Sequence, residues 1–187
     1  MTALNLSQRF FQGNKKAQAK KKRNRVLIAL FVPVFFLTMY GLAFGTVVLN
    51  GTSSLPDNAY FMLRWPKIVF EGSYIAFESP AAVDERFRQF SFIKRVAGMP
   101  GDEVITNGNR VCINNRCRML QDSLVERGIS PTQSQILERD QFMVFADTED
   151  SLDSRYTVIG PIRFDKIEAV GFPIPFPHWK EIQAWFR

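Results

Sequence analysis

Residues 89–104 read QFSFIKRVAGMPGDEV, and the two-residue period of a strand sorts them at once. Phe90, Phe92, Lys94 and Val96 fall on one face, and Ser91, Ile93, Arg95 and Ala97 on the other. The glycines of GMPGDE then fit a turn between strands, with no helix after it. A lysine placed among apolar neighbours admits two readings. Its stem can pack while the ammonium snorkels to water, or burial can hold it neutral, so that it accepts a proton in catalysis.

Working outward, short β-like runs separated by turn residues fill most of the chain. They are AYFML (59–63), GSYIAF (72–77), FSFIKRVAG (90–98), DEVITN (102–107), RVCI (110–113), RCRML (116–120), QFMVFAD (141–147), YTVIG (156–160) and KIEAVGF (166–172). The expected fold is mainly β. Residues 121–139 lack alternation and read as a surface loop with one helical turn, and residues 81–88 as a short helix. Prolines at 173, 175 and 177 exclude a central strand there. Beyond them Trp179, Ile182 and Phe186 share one face of a terminal helix that suits either a membrane interface or packing onto the domain.

Upstream, residues 26–49 carry no charge over 24 positions, more than the ~20 that cross a bilayer. A retained membrane helix is expected, since the apolar core of a cleaved signal peptide is only ~7 to 15 residues long. The first 25 residues hold eight basic side chains and no acidic one, against a net charge of +6 for the whole chain, so the remainder is weakly acidic. A basic block abutting a span follows the positive-inside rule, which accounts for it without nucleic acid. The expected order is therefore a cytoplasmic tail (1–25), a transmembrane helix (26–49) and an exterior domain (50–187), with membrane lipid as one partner.

The two cysteines occur as VCINNRCR. Asn114 and Asn115 suit a two-residue type I′ turn, which sets Cys112 opposite Cys117 at a non-hydrogen-bonded pair where a disulfide is geometrically allowed. One histidine and no further cysteine argue against a zinc site. Oxidising surroundings, a periplasm or an extracellular face, fit best.

Of the familiar catalytic sets, Ser-His-Asp is disfavoured because the single His178 lies in the proline-rich tail. No phosphate loop or dinucleotide fingerprint occurs, and no metal or other cofactor is expected. Asp147, Glu149, Asp150 and Asp153 lack the spacing of a calcium loop and read as a surface turn. Serine activated by a neutral lysine remains. Thr52, Ser53 and Ser54 emerge directly after the span, in NGTSSLPDNAYF.

SLP followed by Tyr60, then FIKRVAGMPGDEV, then DTEDSLDSRY, resembles the successive boxes of the type I signal peptidase family (S26), over roughly residues 50–172. The resemblance implies a signal-peptidase-like β domain behind one membrane helix, with a Ser-Lys dyad. Lys94 matches its general base, Ser151 the hydroxyl that orients the lysine, and Asp153 and Arg155 a structural acidic-basic pair. Proline three positions after the serine, as in the housekeeping enzymes, selects Ser53. Ser-x-Pro with a tyrosine a few residues on, as in the TraF-type branch that processes conjugative pilins, selects Ser54. The resemblance further implies that the nucleophile's own N–H and a hydroxyl two residues earlier hold the oxyanion, which favours Ser54, preceded by Thr52 at that position, over Ser53, which would leave Gly51. Asn58, where conjugative members commonly have glycine, and ADTED, in place of the housekeeping Gly-Asp-Asn-Arg, are departures from the pattern.

The sequence therefore reads as a membrane-anchored serine endopeptidase at the outer surface of a bacterial inner membrane, cutting exported precursor proteins, with a pilin precursor as the expected substrate. Cyclisation of the pilin is a further implication of the conjugative branch. A housekeeping signal peptidase and an inactive membrane-tethered scaffold are the alternatives. A self-cleaving Ser-Lys repressor is the weakest, because a span stands where a helix-turn-helix would precede the dyad.

Overall fold

An apolar chain in lipid must satisfy its own backbone, and helix is the local way to do so. In the computed structural model, which describes residues 3–49, 55–57, 59–79, 91–148 and 150–175, α1 spans Ala3–Phe44 with Pro33 inside it. From Lys21 to Phe44 it is long and apolar enough to cross a membrane, and its large apolar side chains, Leu37 and Leu42 among them, are exposed. The uncharged run does not stay helical to its end. Gly45–Leu49 forms strand β1, paired antiparallel with β2 (Ala59–Leu63) from Gly45 opposite Leu63 to Leu49 opposite Ala59. Glycine and the β-branched Thr46, Val47 and Val48 weaken the helix there, and β2 offers a ladder.

The strands that follow are β3 (Tyr74–Glu78), β4 (Ser91–Gly98), β5 (Glu103–Asn107), β6 (Arg110–Ile113) and β7 (Arg116–Met119). Helix α2 (Asp122–Glu126), β8 (Gln135–Ile136), β9 (Gln141–Phe145), β10 (Ile162–Arg163), a 3-10 turn (Phe164–Lys166) and β11 (Ile167–Pro173) complete the order. All pairings are antiparallel, in two sheets ordered β1-β2-β11-β3-β4-β9-β10 and β7-β6-β5-β8. The mainly β expectation holds.

Three apolar clusters fill this framework. One gathers Ile75, Phe77, Val96, Phe142 and Val144 on the Lys94 face of the large sheet. A second joins Val104, Val111 and Ile113 of the small sheet to Met143, Phe145 and Tyr156. The third holds Leu55, Tyr60, Met62, Tyr74 and Ala76. Between β4 and β5, Gly101 takes φ +91°, and Asp102 closes the turn by accepting the Met99 N–H on its carboxylate at 2.8 Å.

Several local expectations change. YTVIG is not a strand: Tyr156 makes one bridge to Pro131, and the Ile159 and Gly160 N–H groups both donate back to the Tyr156 carbonyl, curling the segment into turns. Residues 121–139 contain the helical turn expected of them, as α2, and also the two-residue β8, too short to show a period. Pro173 does end a central strand, β11, but only at its last residue. There β3 pairing has already stopped at Gly171 opposite Tyr74, so no N–H is missed on that side. The short helix at 81–88 and the aromatic C-terminal helix lie outside the described residues.

Candidate active site

Strand β4 carries Lys94 opposite Ile75 of β3, on the face that holds Val96. Its residue exposure is 5 %, and its ammonium nitrogen lies 5.7 Å from the Phe92 ring centroid. The alternation read from the sequence is thus the alternation observed, and the head group does not snorkel. Burial among apolar groups pulls the Lys94 pKa down to about 8; Arg155 acts in the same sense, while Asp153 and Asp150 oppose it.

Among the described residues the lysine is aimed by a hydrogen bond from Nζ to Ser151 Oγ at 2.8 Å. Ser151 comes from the segment that leaves β9, and that segment is held by a buried ion pair. Asp153 and Arg155 are both sealed from solvent and meet at 2.8 Å. The Asp153 carboxylate accepts the Ala146 N–H at 2.8 Å and both the backbone N–H and Nε–H of Arg155. Arg155 then donates to the Ser151 carbonyl at 3.0 Å and to the Met119 carbonyl at the end of β7. Such a pair satisfies its own hydrogen-bonding groups, which is the condition under which a buried charge is tolerated. Its consequence is mechanical: β9, β7 and Ser151 are tied to one guanidinium, and Ser151 in turn fixes Lys94.

Ser154, between the two ions, adds a brace that sequence reasoning did not single out. Its hydroxyl accepts the Val144 N–H at 3.1 Å, and its own N–H donates to the Val144 carbonyl. The DSR triplet was the available signal, since consecutive polar residues in a buried segment must all find partners.

Among the candidate residues, the fold brings together Lys94, Ser151, Asp153 and Arg155. The candidate nucleophiles Ser53 and Ser54, the oxyanion candidate Thr52, Phe90 and His178 lie outside the described residues. Leu55, immediately after Ser54, is buried in the same cluster as Tyr60. Cys112 and Cys117 belong to no catalytic cluster. They pair across β6 and β7 with Cα atoms 4.0 Å apart and are disulfide-bonded, while Asn114 and Asn115 take φ +48° and +66° in the turn. No group of three histidine, cysteine or acidic side chains that could hold a metal occurs among the described residues.

A family model described as signal peptidase, peptidase S26, matches residues 22–174, well over half of the chain. No curated protein matches. Among solved structures, the crystal structure of a signal peptidase I from Enterococcus faecalis V583 is similar at 25% identity, covering 56% of this chain and 97% of that one, with a TM-score of 0.35.

Proposed function

The chain belongs to the signal peptidase family S26, which implies a serine endopeptidase acting on exported precursors, and from that premise we propose that it works through a Ser54-Lys94 dyad. The observation that carries the proposal is the environment of Lys94: buried, depressed in pKa, and bonded to Ser151 beneath the Asp153-Arg155 pair. A lysine that stays partly neutral near pH 8 can take the proton of a serine hydroxyl, which a solvated ammonium cannot.

In the proposed cycle Ser54 Oγ attacks the scissile carbonyl and its proton passes to Lys94 Nζ. The tetrahedral oxyanion is held by the Ser54 N–H and the Thr52 hydroxyl. Collapse expels the amine, which receives the proton from Lys94, and leaves an acyl-enzyme on Ser54. Water, or a second amine, then adds to the ester carbonyl and gives up a proton to Lys94, which returns it to Ser54 Oγ as that oxygen departs, regenerating the serine hydroxyl and the neutral lysine.

The substrate proposed is a conjugative pilin precursor, on the Ser54-Leu55-Pro56 spacing with Tyr60 after it. Capture of the acyl-enzyme by the pilin's own amine would give a circular product. The anchor is α1, with the basic tail in the cytoplasm and the β domain on the outer face of the inner membrane. A housekeeping role is the second reading, favoured by the family description itself.

The test is intact-mass analysis of a pilin precursor and of unrelated secretory precursors, each co-expressed with wild type, Ser53→Ala, Ser54→Ala or Lys94→Ala. The dyad requires that Ser54→Ala and Lys94→Ala abolish cleavage while Ser53→Ala retains it. A pilin product one water lighter than the linear form reports cyclisation, and efficient cleavage of unrelated precursors reports a housekeeping enzyme. Normal processing by both dyad variants sinks the mechanism.

A further inference from the structure

Helix α1 is continuous from the basic tail into the span, so the depth of each residue in a bilayer follows from the helical rise. From Val26 to Phe44 it climbs about 28 Å at ~1.5 Å per residue, close to the ~30 Å of a hydrocarbon core. The change to strand at Gly45 leaves no helical residue beyond that length. With Phe44 at one boundary of the hydrocarbon, Arg25 stands at the other.

Lys21, Lys22, Arg23 and Arg25 precede that boundary, and all four are exposed. They occupy about 6 Å of the helix axis, the depth of one headgroup layer, which is ~5 to 7 Å on each side of the core. At ~100° per residue, Lys21, Lys22 and Arg23 step around the helix and Arg25 returns beside Lys21, so the charges form a collar instead of a stripe. A partner that binds in a groove meets one face of a helix, whereas a headgroup layer surrounds it. No acidic residue precedes Asp57, so α1 contains no counter-charge. Lys21 and Arg25, one turn apart, repel each other, and only anions from outside the helix relieve that repulsion.

We propose that this collar binds anionic phospholipids of the leaflet it enters, each basic side chain taking a headgroup phosphate. The inference rests on α1 as the membrane anchor and is independent of the Ser54-Lys94 dyad. It goes beyond topology: the positive-inside rule counts charges and sets orientation, whereas a collar held at headgroup depth selects among lipids. Arg23 and Arg25 offer planar forks suited to phosphate, and Lys21 and Lys22 offer point charges. A net-negative headgroup is preferred to a zwitterionic one, whose own ammonium competes for the phosphate. Each basic side chain near an anionic surface favours it by about fivefold.

The test uses full-length protein in nanodiscs of equal phosphatidylglycerol and phosphatidylethanolamine, with the lipids retained on release counted by native mass spectrometry. A nanodisc exposes both leaflets, so the direction of insertion does not enter. Wild type is expected to retain phosphatidylglycerol over phosphatidylethanolamine by about fivefold or more, and the combined Lys21→Gln, Lys22→Gln, Arg23→Gln, Arg25→Gln variant by less than about twofold. The paired Lys21→Arg, Lys22→Arg variant keeps the charge and should keep the wild-type preference. Equal retention of the two lipids by wild type, or an undiminished preference in the glutamine variant, overturns the proposal. Displacement of phosphatidylglycerol by an RNA oligonucleotide at equal phosphate concentration also overturns it, by making the block a nucleic-acid site. Failure of wild type to enter the discs removes the anchor reading and this inference with it.

Discussion

As the proposed general base, Lys94 would accept a proton only in its neutral form, and with its pKa near 8 that form gains population as pH rises. The kcat of precursor cleavage is expected to climb with pH and to reach half its plateau near pH 8, measured as a pH-rate profile. Stability has a matching sign. The folded pKa lies below the ordinary value of 10.5, so between about pH 8 and 10.5 the unfolded chain binds more protons and stability increases with pH. Below pH 8 the full cost of burying the charge is present, about 3 kcal/mol. Lys94→Met is accordingly expected to abolish cleavage while raising stability at pH 7, by up to that amount less the lost bond to Ser151. Urea unfolding beside an activity assay checks both. Ser151→Ala removes the hydrogen bond that aims the lysine, and kcat should fall on the order of 10- to 100-fold with little change in Tm.

At the scale of elements, the Asp153-Arg155 pair joins the end of β9, the end of β7 and the Ser151 segment. Asp153→Asn leaves a buried guanidinium without its counter-charge and is expected to cost about 3 to 5 kcal/mol, read by denaturant unfolding. Because Asp153 raises the Lys94 pKa and Arg155 lowers it, any folded Asp153→Asn enzyme should show its activity limb at lower pH than wild type. A second element-scale constraint lies where β2 and β11 approach. A Cβ on Gly171 would sit 2.0 Å from the Phe61 carbonyl oxygen. Gly171→Ala must therefore push the strands apart, with an expected loss of about 1 to 3 kcal/mol or more in the same measurement. The register β2-β11-β3-β4 links this contact to the lysine strand, so reduced kcat should accompany the loss of stability.

For the whole molecule, α1 and the basic tail make a topological prediction. The protein should remain in the membrane pellet after alkaline extraction, and protease added to spheroplasts should remove the β domain while an epitope at the N-terminus survives. Survival of the domain under protease would reverse the proposed orientation. The sequence by itself determined what depends on local period and turn chemistry: the apolar stretch long enough to span a bilayer, the mainly β class, the Asn114-Asn115 turn with its facing cysteines, and the inward placement of Lys94. Each is legible because a 2.0 or 3.6 period, or a turn that needs positive φ, is written in adjacent residues. Only the tertiary structure decided the rest. Gly45–Leu49 turns from helix to strand because Ala59–Leu63 is there to pair with it, and YTVIG curls for want of such a partner. Lys94 is held by a serine 57 residues away, and Arg155 by a carbonyl 36 residues away. Partners at that separation are chosen by packing and hydrogen-bond satisfaction across the whole fold, and nothing in the neighbouring sequence encodes their distance.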